Sequence, residues 1–113
     1  MAVVNIYKFY GKSTTSADSN VALLSPAVNE TFIIKSIRVT NKSGSNAPTI
    51  TIKNNAFEVV NTQSLSTATS VEILTLPLII EGSTSLTATT AGTCTDGVVI
   101  TISYLNIKKE KGD

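Results

Sequence analysis

Histidine is absent from the sequence, tryptophan is absent, and cysteine occurs once, at Cys94. Without histidine there is no Ser-His or Cys-His nucleophile pair, and the commonest general base and zinc ligand are missing. Cys94, in "AGTCTDG", has no partner for an internal disulfide and no activating base, so it reads as a small buried or loop residue of a chain made in a reducing compartment. Charged residues are only 15% of the chain, against about a quarter in ordinary proteins. The net charge of +1 leaves no basic stripe for nucleic acid. No apolar run approaches the length of a membrane-spanning helix. The start, "MAVVNIYKFYGK", lacks the pattern of a secretory signal, so "NET" at Asn29 and "NKS" at Asn41 read as chance matches to the glycosylation pattern.

Glu58, Glu72, Glu81 and Asp96 are the carboxylates that could meet in space. Glu72 reads as an outward strand position, Glu81 as a turn end and Asp96 as part of a turn. No EF-hand, P-loop or glycine-rich phosphate fingerprint occurs. The sequence therefore implies no enzyme, no catalytic residue, no metal and no cofactor.

What is there is Ser and Thr, about a quarter of the chain, with period-two apolar patterns between turn clusters. Threonine's branched Cβ suits a pleated sheet. A surface of Thr and Ser also repels its own copies less than one of Lys and Glu. Over 113 residues this predicts one all-β domain, 1–113: a two-sheet antiparallel sandwich of seven to eight strands, jelly-roll or immunoglobulin-like. Strands are expected at 2–10, 21–25, 30–41, 49–53, 57–60, 71–80, 83–90 and 98–107. The segments 11–20 and 62–70 read as loops, and 108–113 as a charged tail.

In "ETFIIKSIRVTN" Phe32 and Ile34 share one parity while Ile37 and Val39 take the other, which predicts a β-bulge near Lys35-Ser36. "PLIIEGSTSLTAT" reads as a hairpin turning at Glu81-Gly82-Ser83. The expected core is Ile34, Ile37, Val39, Ile50, Ile52, Leu74, Leu76, Leu86, Ile100 and Ile102. "VEILTLPLIIEG" carries aliphatics on both parities around Pro77. It should lie at an edge, or bend at Pro77 between sheets so that both parities are buried; otherwise the extra aliphatics, Ile73 and Ile79, face a neighbouring chain. Tyr7, Phe9 and Tyr10 cluster near the N-terminus as candidate subunit contacts, with the 42–48 loop a second choice.

The order "IIKSIRVTN", "SGS", "TITI", then "ILTLPLIIEGSTSLTATT" and "VVITISYLNI" over residues 31–107 resembles the small β-sandwich structural proteins of tailed bacteriophage virions. Those proteins show a strand ending in "VTN", a Gly-Ser loop, a Leu-Pro-Leu hairpin and a final "YLxI" strand. The resemblance implies a virion protein made in the host cytoplasm and carried in many copies or as a homo-oligomer. Its partners would be the major capsid protein or other virion proteins, with no nucleic acid or membrane. The resemblance does not choose among capsid decoration (cement) protein, head–tail connector part and tail component; a compact, low-charge sandwich without readable chemistry makes decoration the leading reading. The alternatives are a head–tail connector or tail component forming a ring, and a receptor- or sugar-binding module. The matching positions are packing and turn positions, so no catalytic residue carries over.

Overall fold

The computed structural model describes residues 3–74 and 76–109. They form nine strands and no helix: β1 (Val3–Thr14), β2 (Val21–Leu24), β3 (Glu30–Asn41), β4 (Thr49–Asn54), β5 (Phe57–Ser64), β6 (Thr69–Glu72), β7 (Leu78–Glu81), β8 (Leu86–Ala91) and β9 (Val98–Lys109). One sheet has the order β1-β9-β3, with β6 and β7 both paired to the far side of β3; the other runs β2-β8-β4-β5. All pairings are antiparallel. With β6 and β7 counted as one interrupted strand, this is the jelly-roll order, so the connectivity left open by the sequence is jelly-roll and not immunoglobulin-like.

The core follows from strict alternation. On β9, Val98, Ile100, Ile102 and Tyr104 point inward; on β4, Ile50 and Ile52; on β8, Leu86, Ala88 and Thr90. On β3 the inward set switches from Phe32 and Ile34 to Ile37 and Val39. The register shift between Ile34 and Ser36 places the bulge at Lys35, as the parity flip predicted. Glu72 holds it closed: its carboxylate accepts from Ser36 Oγ at 2.5 Å and from the Ile37 N–H at 2.8 Å. At one end of the core the Phe32 and Tyr104 rings pack at a tilt of 46° with centroids 4.7 Å apart.

Several expectations are corrected. β1 runs on through Gly11–Thr14, since backbone pairing with β9 holds a polar segment that has no apolar pattern of its own. The expected first residue of this strand, Ala2, lies outside the described residues. β5 extends to Ser64 and β6 covers Thr69–Glu72, so the presumed loop at 62–70 is largely strand, with Leu65 buried between. "PLIIEGSTSLTAT" is not a hairpin, because β7 pairs with β3 and β8 with β4 and β2 in the other sheet. Gly82 sits where the chain crosses; a Cβ there would lie 2.5 Å from the Ala27 carbonyl oxygen. The stretch around Pro77 does lie at a sheet edge, but both halves stay in the same sheet. Leu76 is 76% exposed and Leu74 only half-buried, because the strand alternation stops before Pro77 and does not carry through it. Lys108 and Lys109 belong to β9 and not to a tail; residues 110–113 lie outside the described residues.

Candidate docking surface

β1 is held by β9 over twelve register pairs, Val3↔Lys109 to Thr14↔Val98, and among the described residues β9 is its only strand partner. The other long strands each bury one face, but β1 buries neither. Every residue from Val3 to Phe9 is exposed, and only Tyr10 and Thr14 are half-buried. The exposed set is apolar on both parities: Val4 and Ile6 on the inner face, Val3, Tyr7 and Phe9 on the outer. β2, in the facing sheet, is four residues long against twelve for β1.

The register carries the outer face across the sheet. Tyr7 pairs with Leu105, Leu105 with Ile33, and Ile33 with Ile79, so these four side chains form one row across β1, β9, β3 and β7. Tyr7 is 75% and Ile79 59% exposed, with Leu105 and Ile33 part-covered between them. Phe9, 69% exposed, lies beside the row opposite Ser103. The bulge puts Lys35 and Ser36 together against Ser103, so the Lys35 amine also belongs to this face. Tyr7, Lys8, Phe9, Lys35, Ser103 and Tyr104 line an open depression of about 480 Å³.

Of the residues expected at a contact, Tyr7, Phe9 and Ile79 thus share one surface. Tyr10 does not. It pairs with Ile102 on the inner face and packs against the core. The 42–48 loop is pinned, with Ser43 buried and its Oγ accepting from the Ser45 and Asn46 N–H groups at 3.2 and 2.8 Å. Leu105 and Ile33 were not singled out from sequence. The available signal was the second apolar parity of β9 and β3, which no layer covers.

The carboxylates do not converge. Glu72 clamps the bulge, Glu58 lies 3.9 Å from Lys53, and among the described residues no three His, Cys, Asp or Glu come together to hold a metal ion. Cys94 is buried, its Sγ 3.8 Å from the Gly92 carbonyl oxygen. Glu30, at the foot of β3, accepts from the Ala27 N–H at 2.8 Å and from Asn106 Nδ2 at 3.0 Å. These bonds, the Ala27 one foremost, hold its carboxyl below the usual range. Burial pushes the Tyr104 hydroxyl up, with a smaller push from Glu30. Asp18 is held low by the Thr14 and Ser16 hydroxyls. The Glu30 and Asp18 bonds tie down a strand end and a turn, and Tyr104 lines the depression beside Tyr7 and Phe9.

Comparison with protein-family models and with curated proteins yields no match.

Proposed function

We propose that the protein is a non-enzymatic structural component of a bacteriophage particle, a capsid decoration protein that docks on the assembled lattice. The observation that carries this is β1: a twelve-residue edge strand, without proline, apolar on both faces and uncovered. An edge of that length is a template for another strand, and soluble monomers ordinarily blunt or cover it. Added to a strand of a lattice subunit, it would gain backbone hydrogen bonds, with Val4 and Ile6 buried beneath the joint. Weak contacts of this kind become firm through many copies on one particle, and binding only the assembled lattice stabilises it by mass action. The jelly-roll is common in capsid architecture, which agrees with the reading by analogy of fold alone.

A second reading, the ring-forming connector or tail component, is favoured by one feature. The five-stranded sheet is open at both sides, β1 on one and β6 with β7 on the other, so copies could join head to tail. Copy number separates the two: a stained gel of purified particles showing hundreds of copies supports decoration, and a small number fixed by ring symmetry supports the connector. A reconstruction of the intact particle without density for this chain would overturn both.

A further inference from the structure

We infer that the outer face of the five-stranded sheet is a self-docking surface, and that two copies of this chain pack face to face across the Tyr7–Leu105–Ile33–Ile79 row about a two-fold axis lying along that row. The inference is independent of the virion reading: it concerns the isolated protein in solution and uses the face of the sheet, whereas lattice docking uses the β1 edge.

The area comes first. Aromatic side chains offer about 150–250 Å² each, so Tyr7 and Phe9, some three-quarters exposed, supply about 300 Å². Ile79, Val3 and the part-covered Leu105, Ile33 and Ile107 bring the total to about 600 Å² per copy, at the top of the range for the largest apolar patch on a monomer. Two such faces together remove about 1,200 Å², the lower bound for a specific and stable interface. The four residues of the row carry no charge; the cations Lys109, beside Val3, and Arg38, beside Thr101, lie further out on the same face, where they stay at the margin.

Charge at the rim then selects the occupant. On one side of the row, in line with Phe9 and Ser103, stands Lys35. On the other, in line with Asn5, Ile107 and Thr31, stands Glu81. A two-fold axis along the row lays each side over the opposite side of the second copy. Lys35 of one copy then comes within reach of Glu81 of the other, twice by symmetry, while the apolar row meets itself. The strands of the two copies run in opposite senses with near alignment, the ordinary geometry of sheet-on-sheet packing. A sugar ligand would use Tyr7 and Phe9 but has no use for the aliphatic half of the row. A second copy supplies the complement to both charges at once, because the two-fold brings each Lys35 toward the other Glu81.

The test is sedimentation equilibrium of the full chain with four single variants and one double variant. Ile79→Lys and Tyr7→Ser lie at opposite ends of the row on exposed positions, so both should keep the circular dichroism and melting of the parent. The expected result is a parent dimer at micromolar to sub-millimolar concentration, with each of these two variants dissociating it at least about ten-fold more readily, about 1.4 kcal/mol. Lys35→Glu and Glu81→Lys should each weaken it through like charges, and the double exchange should restore it. A monomeric parent throughout that range would overturn the proposal, even if the protein bound some other macromolecule. A dimer indifferent to Ile79→Lys and Tyr7→Ser would place self-association elsewhere and overturn it too. Loss of the dimer in all single variants without rescue by the double exchange would overturn the two-fold arrangement.

Discussion

Asn41 is the last residue of β3, 2% exposed, and its side chain is spent entirely on backbone. Its Nδ2 donates to the carbonyl oxygens of Asn46 at 2.8 Å, Leu65 at 3.1 Å and Ser66 at 3.2 Å. Its Oδ1 accepts from the Ser43 N–H at 3.1 Å. One amide thereby ties the end of β3 to the 42–48 loop and to the connection between β5 and β6, where Leu65 is buried against the core. Asn41→Ala removes about three full hydrogen bonds, since three carbonyls share two N–H groups. At about 1 kcal/mol each, with up to about 2 kcal/mol more for a buried group left unpaired, the loss is about 3–5 kcal/mol. At about 4 °C per kcal/mol for a chain of this length, the melting temperature falls by about 12–20 °C. Asn41→Asp sharpens the test. It keeps the acceptor for Ser43 but turns a second oxygen on three carbonyls. Near pH 7 it should therefore be less stable than Asn41→Ala. The new carboxyl has its folded pKa raised, so its penalty is full above that value and fades as pH falls through it. Urea denaturation of both variants at neutral and mildly acidic pH measures this. A cost below about 1 kcal/mol for Asn41→Ala would show that water replaces the amide and that the reasoning fails.

Three further outcomes are expected. Glu30 and Asp18 titrate below their ordinary values of 4.5 and 3.8 in the fold, so the stability they confer is complete above those values and lost as pH falls through the folded ones; Glu30→Gln should flatten the acid limb of a urea-midpoint series from about pH 7 to pH 3, and an unchanged limb would remove Glu30 from the account. Gly82→Ala sets a methyl against the Ala27 carbonyl oxygen at 2.5 Å and Val28 Cα at 2.9 Å, both backbone, so it should cost about 1–3 kcal/mol in thermal melts. Thr62 has φ +53° where Asn61-Thr62 stand against Thr51 alone, and Thr62→Gly should raise stability by about 0.5–1 kcal/mol by lifting a left-handed strain from a β-branched residue; a drop in melting temperature would mean the backbone there does not resist that conformation.

The legible part of the fold was the part written in buried side chains. β3 was bounded at 30 and 41 from its pattern, and its bulge from the parity flip between Ile34 and Ile37, because a bulge must move the inward set. The illegible part was held by backbone alone. Gly11–Thr14, Asn61–Ser64 and Thr69–Ser70 are strand because a neighbour offers a ladder, and Thr and Ser carry no period to announce it. The Glu81-Gly82-Ser83 turn misled for a different reason: the same residues serve a chain that reverses within a sheet and one that crosses to the next. At the docking surface, Tyr7, Phe9 and Ile79 stood out as apolar residues in excess of one inward face. Leu105 and Ile33 join them only through the register, which no single strand contains.

The two open sides of the five-stranded sheet are built differently. On the β6–β7 side, pairing with β3 is split between two four-residue strands, Thr69–Glu72 and Leu78–Glu81, with Pro77 between them. A short, interrupted edge with a proline is a poor template for a further strand. This explains how "LTLPLIIEG" carries aliphatics on both parities: beyond Pro77, Ile80 is buried in the core while Ile79 faces outward. The β1 side has no such break. Its charges, Lys8 and Lys12, pair with Tyr104 and Ile100 and so lie on the inward parity, while the outward parity reads Val3, Asn5, Tyr7, Phe9, Gly11 and Ser13 without one charge. Edge lysines that merely kept the protein soluble would have no reason to keep to one face. Their segregation leaves the outer face of β1 uncharged and continuous with Leu105, Ile33 and Ile79, and it is across that row that a second sheet can lie flat.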